Sequence, residues 1–184
     1  MRPNDFSARL TMLDEMDVKI LRILQVDCTR PVADIGKEVG LSTTPCWRRI
    51  QKLEEAGVIQ RRVAVLDPHQ VNAGVTVIVS IKTDQHSLSW LERFHKAVAD
   101  FPEVVEFYRM SGDVDYLLRV VVPDIEAYDA FYKRLISRIE IAKVSSAFAM
   151  EQIKYTTAMP LQFARGNAEP VPAASDGEEK RRKR

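Results

Sequence analysis

Residues 13–60 read LDEMDVKILRILQVDCTRPVADIGKEVGLSTTPCWRRIQKLEEAGVIQ, and their punctuation divides them into three short helices. In the first, Ile20, Leu21 and Leu24 share one helical face, Leu13 and Met16 lead in, and Asp14 is placed to cap the start. Cys28-Thr29-Arg30-Pro31 breaks it. The second covers about 32–39, with Val32, Ile35 and Val39 at helical spacing. Gly40 follows at a C-cap position, where a left-handed backbone is easy only for glycine. After the single Leu41, Ser42 can cap a third helix that runs to about residue 56 and ends at Gly57. Two helices joined by a glycine-containing turn of three or four residues fit the helix-turn-helix outline.

The third helix has two chemically different sides. At 100° per residue, Cys46, Leu53 and Gly57 fall close to the direction of Ile50, whereas Thr44, Arg48, Gln51 and Lys52 fall opposite. Arg49 lies on a flank and Trp47 at the other edge of the core. The first turn holds no acid; Glu54 and Glu55 sit at the far end. Such a helix can enter the major groove with its N-terminal residues on base edges. The hydroxyls of Ser42, Thr43 and Thr44 and the free backbone N–H groups beside them can meet phosphates. An arginine fork can grip guanine, worth roughly 1–3 kcal/mol of discrimination. The same pattern also describes a plain amphipathic helix with a solvated basic face.

Moving outward, residues 58–65 are β-prone and carry Arg61 and Arg62, which predicts a hairpin wing or a strand that pairs elsewhere. Residues 66–70 (LDPHQ) form a turn-rich connector. Then the period changes. Val75, Val77, Val79 and Ile81 alternate with Thr76, Ile78, Ser80 and Lys82, a strand pattern. A helix is predicted over 87–99 with Leu91, Phe94 and Val98 inward, a strand over 104–110, a turn at 111–113 and a strand over 116–122. Asp124 caps a second helix with Ile125, Tyr128, Tyr132, Leu135 and Ile139 on one stripe, and a last strand is predicted over 144–154. The order βαββαβ is that of a ferredoxin-like (ACT-like) domain. The expected fold is therefore α+β. A winged helix-turn-helix DNA-binding domain over 13–66 and a linker over 67–74 precede the ferredoxin-like domain over 75–160, and a disordered basic tail over 161–184 ends in KRRKR.

Composition fits this plan and excludes several classes. Apolar residues make up 46% and charged residues 29% of the 184, ordinary for a globular chain. No apolar run approaches the length of a membrane span, and the first twelve residues lack a signal peptide's apolar stretch. Cys28 and Cys46, without a C-x-x-C pair, suit a reduced cytoplasmic setting. Cys46 reads as a small buried apolar residue, with a redox sensor as the alternative. The net charge is +1, and the acidic excess lies in the middle of the chain, between basic ends. His69, His86 and His95 lack metal-ligand spacing, and no P-loop, nucleophile elbow or dinucleotide fingerprint occurs. No catalytic residue, metal or cofactor is expected.

The stretch 13–60 resembles the DNA-binding half of the Lrp/AsnC transcription regulators. The markers are Leu13-Asp14, Gly40-Leu41-Ser42, Pro45-Cys46, Arg49-Ile50, Leu53 and Gly57-Val58-Ile59. The likeness continues through the βαββαβ half, to about residue 160. It implies double-stranded DNA as partner, homodimers that assemble further, and a ferredoxin-like domain that senses an effector and joins subunits. It adds Arg49 to the DNA-contact set Ser42, Thr43, Thr44, Trp47, Arg48, Gln51 and Lys52. It also implies that Gly112-Asp113-Val114-Asp115-Tyr116, which resembles the family's Gly-x-x-Asp-Tyr loop, binds a small amino acid.

Asp113 or Asp115 can accept from the ammonium, and the backbone at Ser111 and Gly112 can donate to the carboxylate. Met110, Tyr116, Ser145 and Ser146 complete the expected effector site. Residues 145–157 (SSAFAMEQIKYTT) with 43–47 (TTPCW) resemble the branch that responds to cysteine, which makes L-cysteine an expected effector. The competing classes are an enzyme or an amino-acid-binding regulatory subunit on the ferredoxin-like domain, or an amino-acid-binding oligomer that acts on a protein partner.

Overall fold

The computed structural model describes residues 13–85 and 87–164. His86, the first twelve residues and the basic run at 180–184 lie outside them. The described residues divide into two compact units: Ala64–Tyr155 form one, and residues 13–63 together with 156–164 form the other.

The helical unit contains α1 (Glu15–Leu24), α2 (Val32–Val39) and α3 (Thr43–Glu55). Asp14 caps α1 through a reciprocal box, its side chain accepting from the Asp17 backbone N–H while the Asp17 side chain accepts from its own. Gly40 ends α2 at φ +80°, as the sequence requires. Ile20, Ile35, Val39, Cys46 and Ile50 form the core, with Met16, Ile23, Leu24, Val32, Leu41 and Ile59 around it. Gly36 has a different role from Gly40. A Cβ on it would lie 2.8 Å from the Leu41 carbonyl oxygen and 3.4 Å from Cys46 Cβ, so the α2–α3 turn closes onto bare backbone.

The second unit is a four-stranded antiparallel sheet in the order β2-β3-β1-β4, from β1 (Val75–Lys82), β2 (Val104–Arg109), β3 (Tyr116–Val122) and β4 (Lys143–Phe148). Two helices, α4 (Leu88–Ala99) and α5 (Ile125–Arg138), supply the other half of its core. Val77, Val79, Ile81, Leu118, Val120 and Val122 meet Phe94, Val98, Phe131 and Leu135 there. The alternate residues Ile78, Leu117 and Val121 are only half-buried on the opposite face of the sheet. The α+β architecture is the one expected.

Several details differ. Residues 58–65 form no hairpin and no strand; no ladder partner for them occurs among the described residues, and Val63 and Val65 stand exposed. The last strand stops at Phe148, where its pairing with Val77 ends; Met150 and Ile153 are more than nine-tenths exposed. Residues from Thr156, expected in the sensing domain, belong to the helical unit, where the Met159 N–H donates to Gln25 Oε1 at 3.0 Å. The expected tail begins with a 3-10 helix, Leu161–Phe163. On α5 the buried stripe is centred on Tyr128, Phe131 and Leu135, which leaves Ile125 69% exposed and Tyr132 half-buried. On α4, Trp90 is buried and Leu91 half-buried; the Trp90 indole N–H donates to the Glu140 carbonyl at 3.3 Å.

Replacing Gly36 tests the tight turn. Gly36→Ala must push Leu41 or α3 outward and is expected to cost about 1–3 kcal/mol, the usual range for overpacking. Thermal unfolding of the helical unit checks it; an unchanged midpoint would show that the turn has slack.

Candidate DNA interface and effector loop

The face of α3 follows from its burial. Cys46, Ile50 and Leu53 are buried, whereas Thr43, Thr44, Arg48 and Lys52 are exposed and Trp47 is 51% exposed. Ser42 stands at the N-cap, but its hydroxyl makes no capping bond, and Cys46 is the first residue whose N–H returns to the Ser42 carbonyl. The N–H groups of Thr43 and Thr44 thus stay open at the helix start, and Pro45 has none to satisfy. No acid lies in that first turn. Gln51 is half-buried and donates to Glu54 at 3.0 Å, and Arg62 pairs with the same carboxylate at 2.8 Å. Burial raises the pKa of the Cys46 thiol, which fits a small apolar role in the core.

Arg49 is placed differently from its neighbours. Its Nη1 donates to Asp14 Oδ2 at 2.6 Å and to Asp17 Oδ1 at 2.8 Å, and its side chain is 33% exposed. The Asp17 backbone N–H, and then the Arg49 guanidinium, hold the Asp14 carboxyl below its ordinary pKa. Sequence periodicity cannot find this link, because Asp14 and Arg49 are 35 residues apart.

The loop between β2 and β3 is closed by its own backbone. The Met110 N–H donates to the Asp115 carbonyl at 2.8 Å, and the Asp115 N–H to the Ile81 carbonyl at 3.0 Å. Asp115 Oδ2 accepts from the N–H of Thr83, a buried polar residue that no sequence pattern singles out. Asp115 is therefore half-buried and tied to the end of β1, while Met110, Ser111, Gly112 and Asp113 are exposed. Tyr116 is buried in an aromatic cluster with Trp90, Phe94 and Phe107, and burial raises the pKa of its hydroxyl.

Ser145 and Ser146 fall on opposite faces of β4. Ser146 shares a hydrogen bond with the Tyr128 hydroxyl on the helix side, and Ser145 pairs with Ser80 across the ladder. From Tyr116 through Ile81 to Val144 is two strand spacings, about 10 Å. The structure thus brings residues 110–113 together at one surface, but it does not bring both serines to them. Among the described residues no group of His, Cys, Asp and Glu is arranged to hold a metal, and no helix is long and apolar enough to cross a membrane.

Comparison with known proteins agrees with both halves. Residues 13–54 match the AsnC-type helix-turn-helix domain, and residues 76–159 match the Lrp/AsnC ligand binding domain. The DNA-binding transcriptional activator DecR of Escherichia coli K12 is 48% identical over 152 residues, which span 82% of this chain and all of that protein. The crystal structure of an AsnC family transcriptional regulator from Agrobacterium tumefaciens is 73% identical, with a TM-score of 0.81 over 82% of this chain and 99% of its own. A transcriptional regulator from Neisseria meningitidis, solved as a complex with L-Met, is 32% identical, with a TM-score of 0.78 over 82% and 97%. These relatives are transcriptional regulators and not enzymes. With a helix-turn-helix and a ligand-binding domain in the same order and each matched by its own family model, the chain belongs to the Lrp/AsnC family of transcriptional regulators.

Proposed function

We propose that the chain binds double-stranded DNA through the outer face of α3 and that a small amino acid at the β2–β3 loop modulates this binding. The observation that carries the first part is the exposed, acid-free start of the helix. Ser42, Thr43 and Thr44 offer hydroxyls and open N–H groups to phosphates, while Trp47, Arg48, Gln51 and Lys52 stand along the side that would enter the groove. Arg48 and Lys52 supply the charge. Arg49 is engaged by Asp14 and Asp17 and is set apart from these residues.

Replacing both Arg48 and Lys52 by alanine is expected to weaken binding and to flatten the dependence of log affinity on log salt by about 1–2, one for each phosphate that is no longer neutralised. Fluorescence anisotropy with duplexes selected by the unmodified protein from a random-sequence pool measures this. An unchanged slope and affinity would defeat the reading.

The effector reading rests on the exposed run from Met110 to Asp113. Asp113 is the better-placed acceptor for an ammonium group, because it is exposed, whereas Asp115 is half-buried with one oxygen on the Thr83 N–H. The relative solved with L-Met supports a small amino acid. L-Cysteine is the effector we propose, from the likeness of residues 145–157 and 43–47 to the cysteine-responsive branch. Calorimetry with L-cysteine, L-methionine, L-leucine and L-phenylalanine is expected to show heat with cysteine and a loss of that heat in Asp113→Ala. Binding confined to phenylalanine would exclude cysteine.

The open face of the sheet supports a homodimer. Ile78, Leu117 and Val121 are only half-buried there, next to the Glu106–Arg119 ion pair. A two-fold dimer uses the same patch on both copies, and an apolar sheet face of this kind can serve as that patch. Leu117→Lys is expected to halve the particle mass seen by light scattering, and an unchanged mass would place the interface elsewhere.

A further inference from the structure

We propose that Arg49 is a positioning residue: it holds the recognition helix to the start of α1 through Asp14 and Asp17 and does not itself meet DNA. This rests on the DNA-contact reading of α3 given above.

The geometry divides four carboxylate oxygens without remainder. Asp14 Oδ1 accepts from the Asp17 N–H at 2.9 Å and Asp14 Oδ2 from Arg49. Asp17 Oδ2 accepts from the Asp14 N–H at 3.3 Å and Asp17 Oδ1 from Arg49. The two acids are thus already fixed by the capping box, and the arginine joins a preformed site. Both bonds leave from the same nitrogen, so the guanidinium is anchored at one point between two fixed oxygens.

The balance of charge argues the same way. Two carboxylates facing one guanidinium leave the cluster with a net negative charge, which repels a phosphate. Arg48, one residue earlier, is exposed, and no hydrogen bond or ion pair engages its side chain among the described residues. Adjacent arginines therefore divide the work: one faces outward, and the other fixes the angle at which it does so. A reading element needs its side chains held within about 0.5 Å of the productive geometry. The link spans 32 and 35 residues of sequence, joining the first helix to the third directly.

Opposite signs separate this from direct DNA contact. Asp17→Asn removes a negative charge from the DNA-binding unit, and electrostatics alone then predicts tighter binding. Positioning predicts weaker binding, because asparagine still accepts in the capping box but grips the guanidinium poorly.

The test is anisotropy with the pool-selected duplexes across a salt series, for Arg48→Ala, Arg49→Ala, Arg49→Lys and Asp17→Asn. Arg49→Ala is expected to weaken binding by about tenfold, the size of one mismatched base pair. That factor should be the same at every salt concentration, whereas Arg48→Ala flattens the salt slope by about 1. Asp17→Asn should also weaken binding and add little to Arg49→Ala, since both remove one link. Arg49→Lys should recover part of the loss, because an ammonium still reaches one of the two acids.

A slope that flattens with Arg49→Ala as it does with Arg48→Ala overturns the inference, and so does tighter binding by Asp17→Asn. If Arg48→Ala and Lys52→Ala both leave affinity unchanged, the DNA-contact reading fails instead. In that case a thermal-unfolding double-mutant cycle between positions 17 and 49 still measures the link, and zero coupling overturns it. Should Arg49→Ala unfold, Arg49→Lys carries the same comparison.

Discussion

Three helices of 10, 8 and 13 residues are each near or below the length at which an isolated helix holds its shape in water. What makes them a unit is the apolar packing among Ile20, Ile35, Val39, Cys46 and Ile50, one cluster drawing on all three. At about 1.5–3 kcal/mol for each large aliphatic side chain, this burial dominates the energetics. The Asp14–Asp17–Arg49 cluster is smaller in energy; partly exposed ion pairs contribute about 1 kcal/mol or less. Its importance is directional. Apolar packing holds helices together but leaves their rotation loosely fixed, whereas hydrogen bonds from one guanidinium nitrogen to two capped carboxylates select one orientation.

The same division between cohesion and direction runs through the sheet unit. Phe94, Phe131, Leu135 and the inward valines of β1 and β3 supply the cohesion. Direction comes from fewer groups. The Asp115 carboxylate on the Thr83 N–H, with the Asp115 N–H on the Ile81 carbonyl, fixes where the β2–β3 loop leaves the sheet. The base of that loop is pinned while its end, residues 110–113, stands exposed. Of its two acids, Asp115 is tied to the sheet and Asp113 is not.

Much of this is legible in the sequence, and the exceptions share a cause. The α3 wheel, the Gly40 turn and the alternation along β1 are local properties of period and backbone preference, and the structure has them at the expected positions. Of the four side chains that mark the outward face of α3, Gln51 alone departs, half-buried against Glu54. Residues 58–65 and 149–154 look like strands because their residues favour extended backbone. A strand also needs a ladder, and propensity does not supply a partner. On α5, Ile125 and Phe131 both fit a helical stripe, and only the docking direction against the sheet decides that Phe131 is inside. The likeness to the family assigns Arg49 to DNA contact, and the wheel sets it on a flank of α3. Its bonds to Asp14 and Asp17 join residues more than 30 positions apart, beyond the reach of any periodicity.

The return of the chain at Thr156 has a topological consequence. Because the Met159 N–H is held by Gln25 on the helical unit, the whole of Ala64–Tyr155 is in effect inserted within that unit rather than appended to it. The stretches that lead in and out join neighbouring ends of β1 and β4, which run antiparallel with Val77 opposite Phe148. The chain therefore crosses from one unit to the other twice in sequence, as an insert is spliced into its host. A backbone cut in either passage leaves the other as a covalent tether. A fragment that stops at Val63 is not the whole helical unit, because the segment that closes onto Gln25 arrives only after the sheet has been made.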